Sequence, residues 1–148
     1  MKLLDANILL YAYDTSSKQH VACRQWLDSA FNAAESEALP WQTLLAFVRI
    51  ATNPHAVRQP LQGQEACAIV SSWLERPNVV VIGAGDRFWE IFKAQVSEAQ
   101  VSGPLVTDLA LAALAMEHGA TLCSTDKDFR RFQGLKLLDP TQSGGMRL

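Results

Sequence analysis

The chain has 148 residues, 49% hydrophobic and 19% charged, and its 13 lysines and arginines against 15 aspartates and glutamates leave a formal net charge of −2. A domain of this length buries roughly 68–70% of its unfolded surface, so a core forms without disulfides or a structural metal, and disordered or fibrous classes are excluded. The near-neutral balance excludes a polybasic tail but leaves room for local patches of either sign.

In chain order, Leu3-Leu4 reads as a short strand ended by Asp5, and Asn7 to Tyr13 as a turn or two of helix. Val21 to Ala34 places Val21, Trp26, Leu27, Ala30, Phe31 and Ala34 on one helical face. Glu37 to Pro40 reads as a break, followed by a helix from Thr43 to Thr52 that Asn53-Pro54 stops. Gln62 to Leu74 is a further amphipathic helix. Val79-Val80-Val81-Ile82, between Pro77-Asn78 and Gly83, has the character of a buried strand. A helix from Asp86 to Ala99 follows. Leu105-Val106 is a brief apolar step before Thr107-Asp108, a helix runs to His118, and Gly119 takes the position just past its end. Thr121-Leu122-Cys123 is a strand, Ser124 to Asp128 an acidic turn, and Leu135 to Leu138 the last strand. Such alternation predicts an α/β fold with a parallel sheet covered by helices on both faces.

Cys23, Cys67 and Cys123 are widely spaced inside apolar segments and read as buried, reduced thiols, which suits a cytoplasmic protein. The longest clean apolar run, Leu109 to Met116, is far shorter than the roughly 20 residues a membrane span needs. His20, His55 and His118 share no metal-ligand spacing, and Gly83-Ala84-Gly85 lacks the remainder of a phosphate loop.

The chemistry lies in where the acids fall. Ligands of a parallel sheet bind just beyond the carboxyl ends of its strands. Asp5 follows Leu3-Leu4, Asp108 follows Leu105-Val106, and Asp126 with Asp128 follows Thr121-Leu122-Cys123. Brought together, these carboxylates would repel one another and hold their protons unless a cation neutralised them. Hard oxygen ligands of this kind suit Mg2+ or Mn2+. Asp5, Asp108 and Asp126 each also precede a helical pattern and could serve only as caps, and Asp128 could be an exposed partner of Arg131. Asn7 either orients Asp5 or closes its own turn. Thr107, Ser124 and Thr125 read as caps first and as hydrogen-bond partners of the acids second. Lys127, Arg130, Arg131 and Lys136 cluster in sequence beside the last acidic turn as candidate phosphate contacts, with Arg49 on an earlier helix. Trp26, Trp41, Trp73 and Trp89 fall in or at the start of helical patterns and suit core or dimer packing.

Leu3-Leu4-Asp5-Ala6-Asn7, Trp41-Gln42, Phe47 to Pro54, Thr107-Asp108 with the apolar helix after it, Ser124-Thr125-Asp126-Lys127-Asp128-Phe129 and Leu137-Leu138-Asp139-Pro140, in that order, resemble a PIN domain of the VapC toxin type. The resemblance spans nearly the whole chain. It implies a three-layer sandwich, with a central parallel sheet flanked by helices, formed by residues 1–148 as a single domain. It further implies an Mg2+- or Mn2+-dependent endoribonuclease, the toxin of a toxin–antitoxin pair, cytoplasmic, usually dimeric and restrained by a VapB-type antitoxin. Asp5, Asp108 and Asp126 fall on the family's metal-binding acidic positions, and Asp128 is a looser fourth match. In one respect the chain departs from the family: a glutamate usual in the helix before the Phe-x-Arg stretch is Ala46 here. Two alternatives follow. One is a catalytically weakened relative that binds antitoxin or RNA. The other is an aspartate-nucleophile phosphohydrolase on Asp5, for which Asn7 stands where a second acid belongs.

Overall fold

In the computed structural model, which describes residues 1–142, five short strands form one parallel sheet. They are β1 (Lys2–Leu4), β2 (Glu37–Ala38), β3 (Val79–Val80), β4 (Thr121–Cys123) and β5 (Lys136–Leu138), ordered β3-β2-β1-β4-β5. The helices among the described residues are α1 (Ala6–Tyr13), α2 (His20–Asn32), α3 (Trp41–Ala51), α4 (Gly63–Leu74), α5 (Phe88–Glu98) and α6 (Leu105–Glu117), with a 3-10 helix at Lys127–Arg131. Residues 143–148, included in the single-domain expectation, lie outside the described residues.

The alternation of strand side chains builds two cores from one sheet. Leu4, Leu39 and Cys123 face α1 to α4, where Trp73 packs on Tyr13 and Phe47 with ring centroids 5.7 and 4.7 Å apart. Leu3, Ala38, Leu122 and Leu137 face the other way, toward α5, α6, Phe129 and Phe132. Strands buried on both faces read as continuous apolar pairs, which is why Leu3-Leu4 and Leu137-Leu138 show no polar alternation. The result is the expected three-layer α/β sandwich.

Several boundaries differ from the sequence reading. The expected break at Glu37 to Pro40 contains β2, whose Glu37 is fully buried against Lys2 Nζ at 2.9 Å. A charged first residue hid this strand, because its neutralising partner is supplied from β1. The strand at Val79 stops at Val80, and Val81 leaves the sheet and is exposed. Leu105 and Val106 form no strand; they are the first turn of α6, where the Val106 amide donates to the Gly103 carbonyl at 3.0 Å and Pro104 leads into the helix. Cys23 and Cys123 are buried, whereas Cys67 lies on the exposed side of α4. No described helix is long and apolar enough to cross a membrane.

Two helices end the same way with different residues. Past α6, Gly119 at φ 64° lets the Ala120 amide return to the Ala115 carbonyl at 2.9 Å, the ending its sequence position predicts. Past α5, the Val101 amide returns to the Val96 carbonyl at 3.1 Å, but the left-handed residue is Gln100, at φ 52°. A side chain pays for this conformation where glycine does not. Gln100→Gly is therefore expected to stabilise the fold by about 1 kcal/mol, as measured by urea unfolding.

Candidate metal centre

β2 and β3 lie on one side of β1, and β4 and β5 on the other, so the strand order reverses between β1 and β4. At such a reversal the connections diverge and leave a crevice at the strands' carboxyl ends. Asp5 and Ser124 are the first residues past β1 and β4. Both backbones are tied one step beyond the ladder, the Asp5 amide donating to the Cys123 carbonyl at 2.9 Å and the Ser124 amide to the Leu138 carbonyl at 3.0 Å.

Ser124 is the hub of the side chains. Its hydroxyl donates to Asp5 Oδ2 at 2.7 Å and accepts from Asn7 Nδ2 at 3.3 Å and from the Asp126 amide at 3.0 Å. This uses its one proton and both lone pairs, which sets the rotamer. Asp126 in turn caps the 3-10 helix by accepting the Asp128 amide at 2.9 Å. One short turn thus presents two carboxylates while a buried serine holds the third, across the sheet.

Asp108 arrives from elsewhere. The expectation of a strand-end turn is replaced by the first turn of α6, where the helix N-terminus favours its charge. Ligand oxygens of Asp108, Asp126 and Asp128 lie within 4.8 Å of one another. Asp5 stands outside that group of three but adjoins it electrostatically. Burial pushes its carboxyl above the ordinary range, the Ser124 bond pulls it down, and the charge of Asp126 pushes it up again. Asp108 is driven to about 6, first by burial and then by Asp126, Asp5 and Asp128, with Arg131 opposing. Among the described residues none of the four acids forms an ion pair.

These residues fit a hard divalent cation. The donors are all carboxylate oxygens, their mutual repulsion calls for positive charge, and the buried Asn7 Oδ1 has no hydrogen-bond partner.

The remaining expected residues divide. Thr107 is exposed and Thr125 half-buried, and neither side chain makes a hydrogen bond among the described residues. Lys127, Arg130 and Arg131 are exposed on the 3-10 helix beside the acids. Lys136 is not with them: it begins β5, at the opposite end of the strands. Arg49 is exposed on α3 and forms no ion pair among the described residues. The sequence reading missed Thr43, a buried residue whose hydroxyl donates to the Leu4 carbonyl at 2.8 Å and so pins α3 to the residue before Asp5. Only its place in a first helical turn could have signalled this. Ala46 follows one turn later and is half-buried. A larger cavity, of about 430 Å³, lies away from the acids, between the end of α1, α3 and residues 57–61.

The PIN domain family matches residues 2–135. Ribonuclease VapC37 of Mycobacterium tuberculosis is 39% identical over 140 residues, covering 95% of this chain and 97% of that protein. Ribonuclease VapC33 of the same species is 36% identical, covering 95% and 98%. Among solved structures, VapBC2 from Rickettsia felis bound to a promoter DNA fragment superposes with a TM-score of 0.70 at 17% identity, over 93% of this chain and 97% of that one. VapBC-1 from nontypeable Haemophilus influenzae gives 0.70 at 18%, over 95% and 98%.

The raised acids give the centre a definite pH dependence. Because Asp108 ionises near 6 when folded and near 3.8 when unfolded, the folded chain holds the extra proton between those values. The metal-free protein should therefore lose stability as pH rises through that window, and Mn2+ should restore it above pH 6. Mn2+ affinity, followed by calorimetry, should fall about tenfold per unit below pH 6. Asp108→Asn should stabilise the metal-free fold at pH 8 by about 1 kcal/mol, after allowance for solvent screening, while weakening Mn2+ binding. Metal-free stability that is constant from pH 4 to 7 would contradict the raised ionisation of Asp108.

Proposed function

The chain belongs to the PIN domain family, and from that premise we propose that it is a VapC-type ribonuclease, the toxin of a toxin–antitoxin pair, acting as an Mg2+- or Mn2+-dependent endoribonuclease in the cytoplasm. The observation that carries this reading is the convergence of Asp5, Asp108, Asp126 and Asp128 on the crevice between β1 and β4.

In this reading Asp108, Asp126 and Asp128 hold the ion, and Asp5, kept in one rotamer by Ser124, completes its surroundings. The bound ion supplies a polarised water and charge neutralisation for phosphodiester hydrolysis. The protein's own work is positional and electrostatic. Ser124, itself held by Asn7, fixes the Asp5 carboxylate, and the Asp126 cap keeps Asp126 and Asp128 on one tight turn. The exposed Lys127, Arg130 and Arg131 bind backbone phosphates beside the acids, a local attraction that a net charge of −2 conceals. Arg49, exposed on α3, extends that surface.

A VapB-type antitoxin is the expected partner, since the similar solved structures include VapBC assemblies and a toxin–antitoxin complex. A homodimer is supported by Trp41 and Leu45, 54% and 63% exposed and one turn apart on α3. Ala46 favours a second reading, that of a weakened nuclease. A glutamate at that point, one turn past Thr43, would add a carboxylate beside the crevice.

Two measurements separate these readings. Cleavage of a structured RNA with Mn2+ should fall roughly 10²–10³-fold in Asp5→Asn and in Asp108→Asn; equal rates in all three proteins would reject a metal nuclease. Ala46→Glu should raise Mn2+ affinity about tenfold, and an unchanged titration would remove Ala46 from the centre.

A further inference from the structure

Beside the acidic crevice lies a second, smaller recess, of about 290 Å³, lined by Gln95, Glu98, Ala99, Arg131 and Gln133. It sits between the last turn of α5 and the end of the 3-10 helix, and its volume is near the lower end for small-ligand sites. Arg131 belongs to both places, because its charge also acts on Asp108.

Three features of the recess serve no evident purpose in the fold. Glu98 is the last residue of α5, where a negative charge opposes the helix dipole, and it forms no ion pair among the described residues. Gln95 is 8% exposed; its Nε2 donates to the Gln133 carbonyl at 3.2 Å, while its Oε1 receives no hydrogen bond. Gln100 keeps a left-handed backbone just behind this wall, where glycine would be easier.

The chemistry of the lining selects a ligand. The exposed Glu98 carboxylate offers the acceptors, and the one cationic group among the lining residues is Arg131, whose charge also acts on Asp108. Among the four RNA bases only guanine presents N1–H and N2–H donors side by side, a pair that a carboxylate can accept together. Building on the ribonuclease reading above, we infer that this recess is a guanine-binding subsite, with Glu98 accepting from N1–H and N2–H and Arg131 on the adjoining phosphate. It places a guanosine next to the phosphodiester that is cut, and so makes Glu98 a specificity-determining residue.

The test is binding, without cleavage, by the Asp5→Asn protein. Fluorescein-labelled pentanucleotides with guanine, inosine, adenine or cytosine in a uridine background are titrated by anisotropy. Guanine should bind roughly tenfold more tightly than inosine, which lacks only the N2 amine. Adding Glu98→Gln, a substitution at an exposed position, should erase the difference between guanine and inosine and leave the adenine and cytosine oligonucleotides unchanged. Equal affinity for all four, or a guanine preference that survives Glu98→Gln, overturns the subsite. RNA that is bound, and cut by the unsubstituted protein, without regard to guanine overturns the subsite alone. Failure to bind any oligonucleotide or to cut any RNA overturns the ribonuclease reading with it.

Discussion

Repulsion among carboxylates is the constraint around which this molecule is arranged. Asp108, Asp126 and Asp128 bring oxygens within 4.8 Å of one another, Asp5 adds a half-buried fourth carboxylate, and no ion pair with a cationic side chain relieves them among the described residues. Such a group disperses unless something holds it. The hold is a neutral hydroxyl, that of Ser124, which bridges the ends of β1 and β4 by bonding Asp5 and the Asp126 amide together. A lysine there would have cancelled the field that a metal ion requires. A hydroxyl fixes the geometry and leaves the charge intact.

The rest of the fold supplies rigidity to that point. β1, at the centre of the sheet, is hydrogen-bonded on both sides and buried on both faces, so Asp5 leaves a well-anchored strand. Thr43 ties α3 to the same strand end, and α6 delivers Asp108 from a helix whose middle is wholly buried. A site assembled from rigid elements tolerates electrostatic strain that loops would relax away. The solved relatives share this frame at under 20% identity.

Much of the centre was legible in the linear pattern because its parts are local. Asp5 ends an apolar pair, and Asp126 and Asp128 share one turn, so their place at strand ends follows from spacing alone. Gly119 likewise marks the end of α6 through a backbone requirement that no other residue meets as cheaply. Leu105-Val106 misled, since two apolar residues look alike at the end of a strand and at the start of a helix, and Gly103-Pro104 decides between them through a backbone bond. β2 was hidden because Glu37 is made compatible with burial by Lys2, a partner from a distant part of the chain. Lys136 is near the acidic turn in sequence and at the opposite end of the strands in space.

The order of residues therefore set which acids this protein carries, which strands and helices bear them and what class of ion they suit, because those properties depend on side-chain type and short-range periodicity. It could not say that α6, rather than a strand, presents Asp108, that Ser124 is the common partner of Asp5, Asn7 and Asp126, or that Glu98 and Gln95 share a recess with Arg131. Those are relations between residues far apart in the chain. They come into being only when the strand order reverses between β1 and β4 and the apolar faces of six helices close over the sheet.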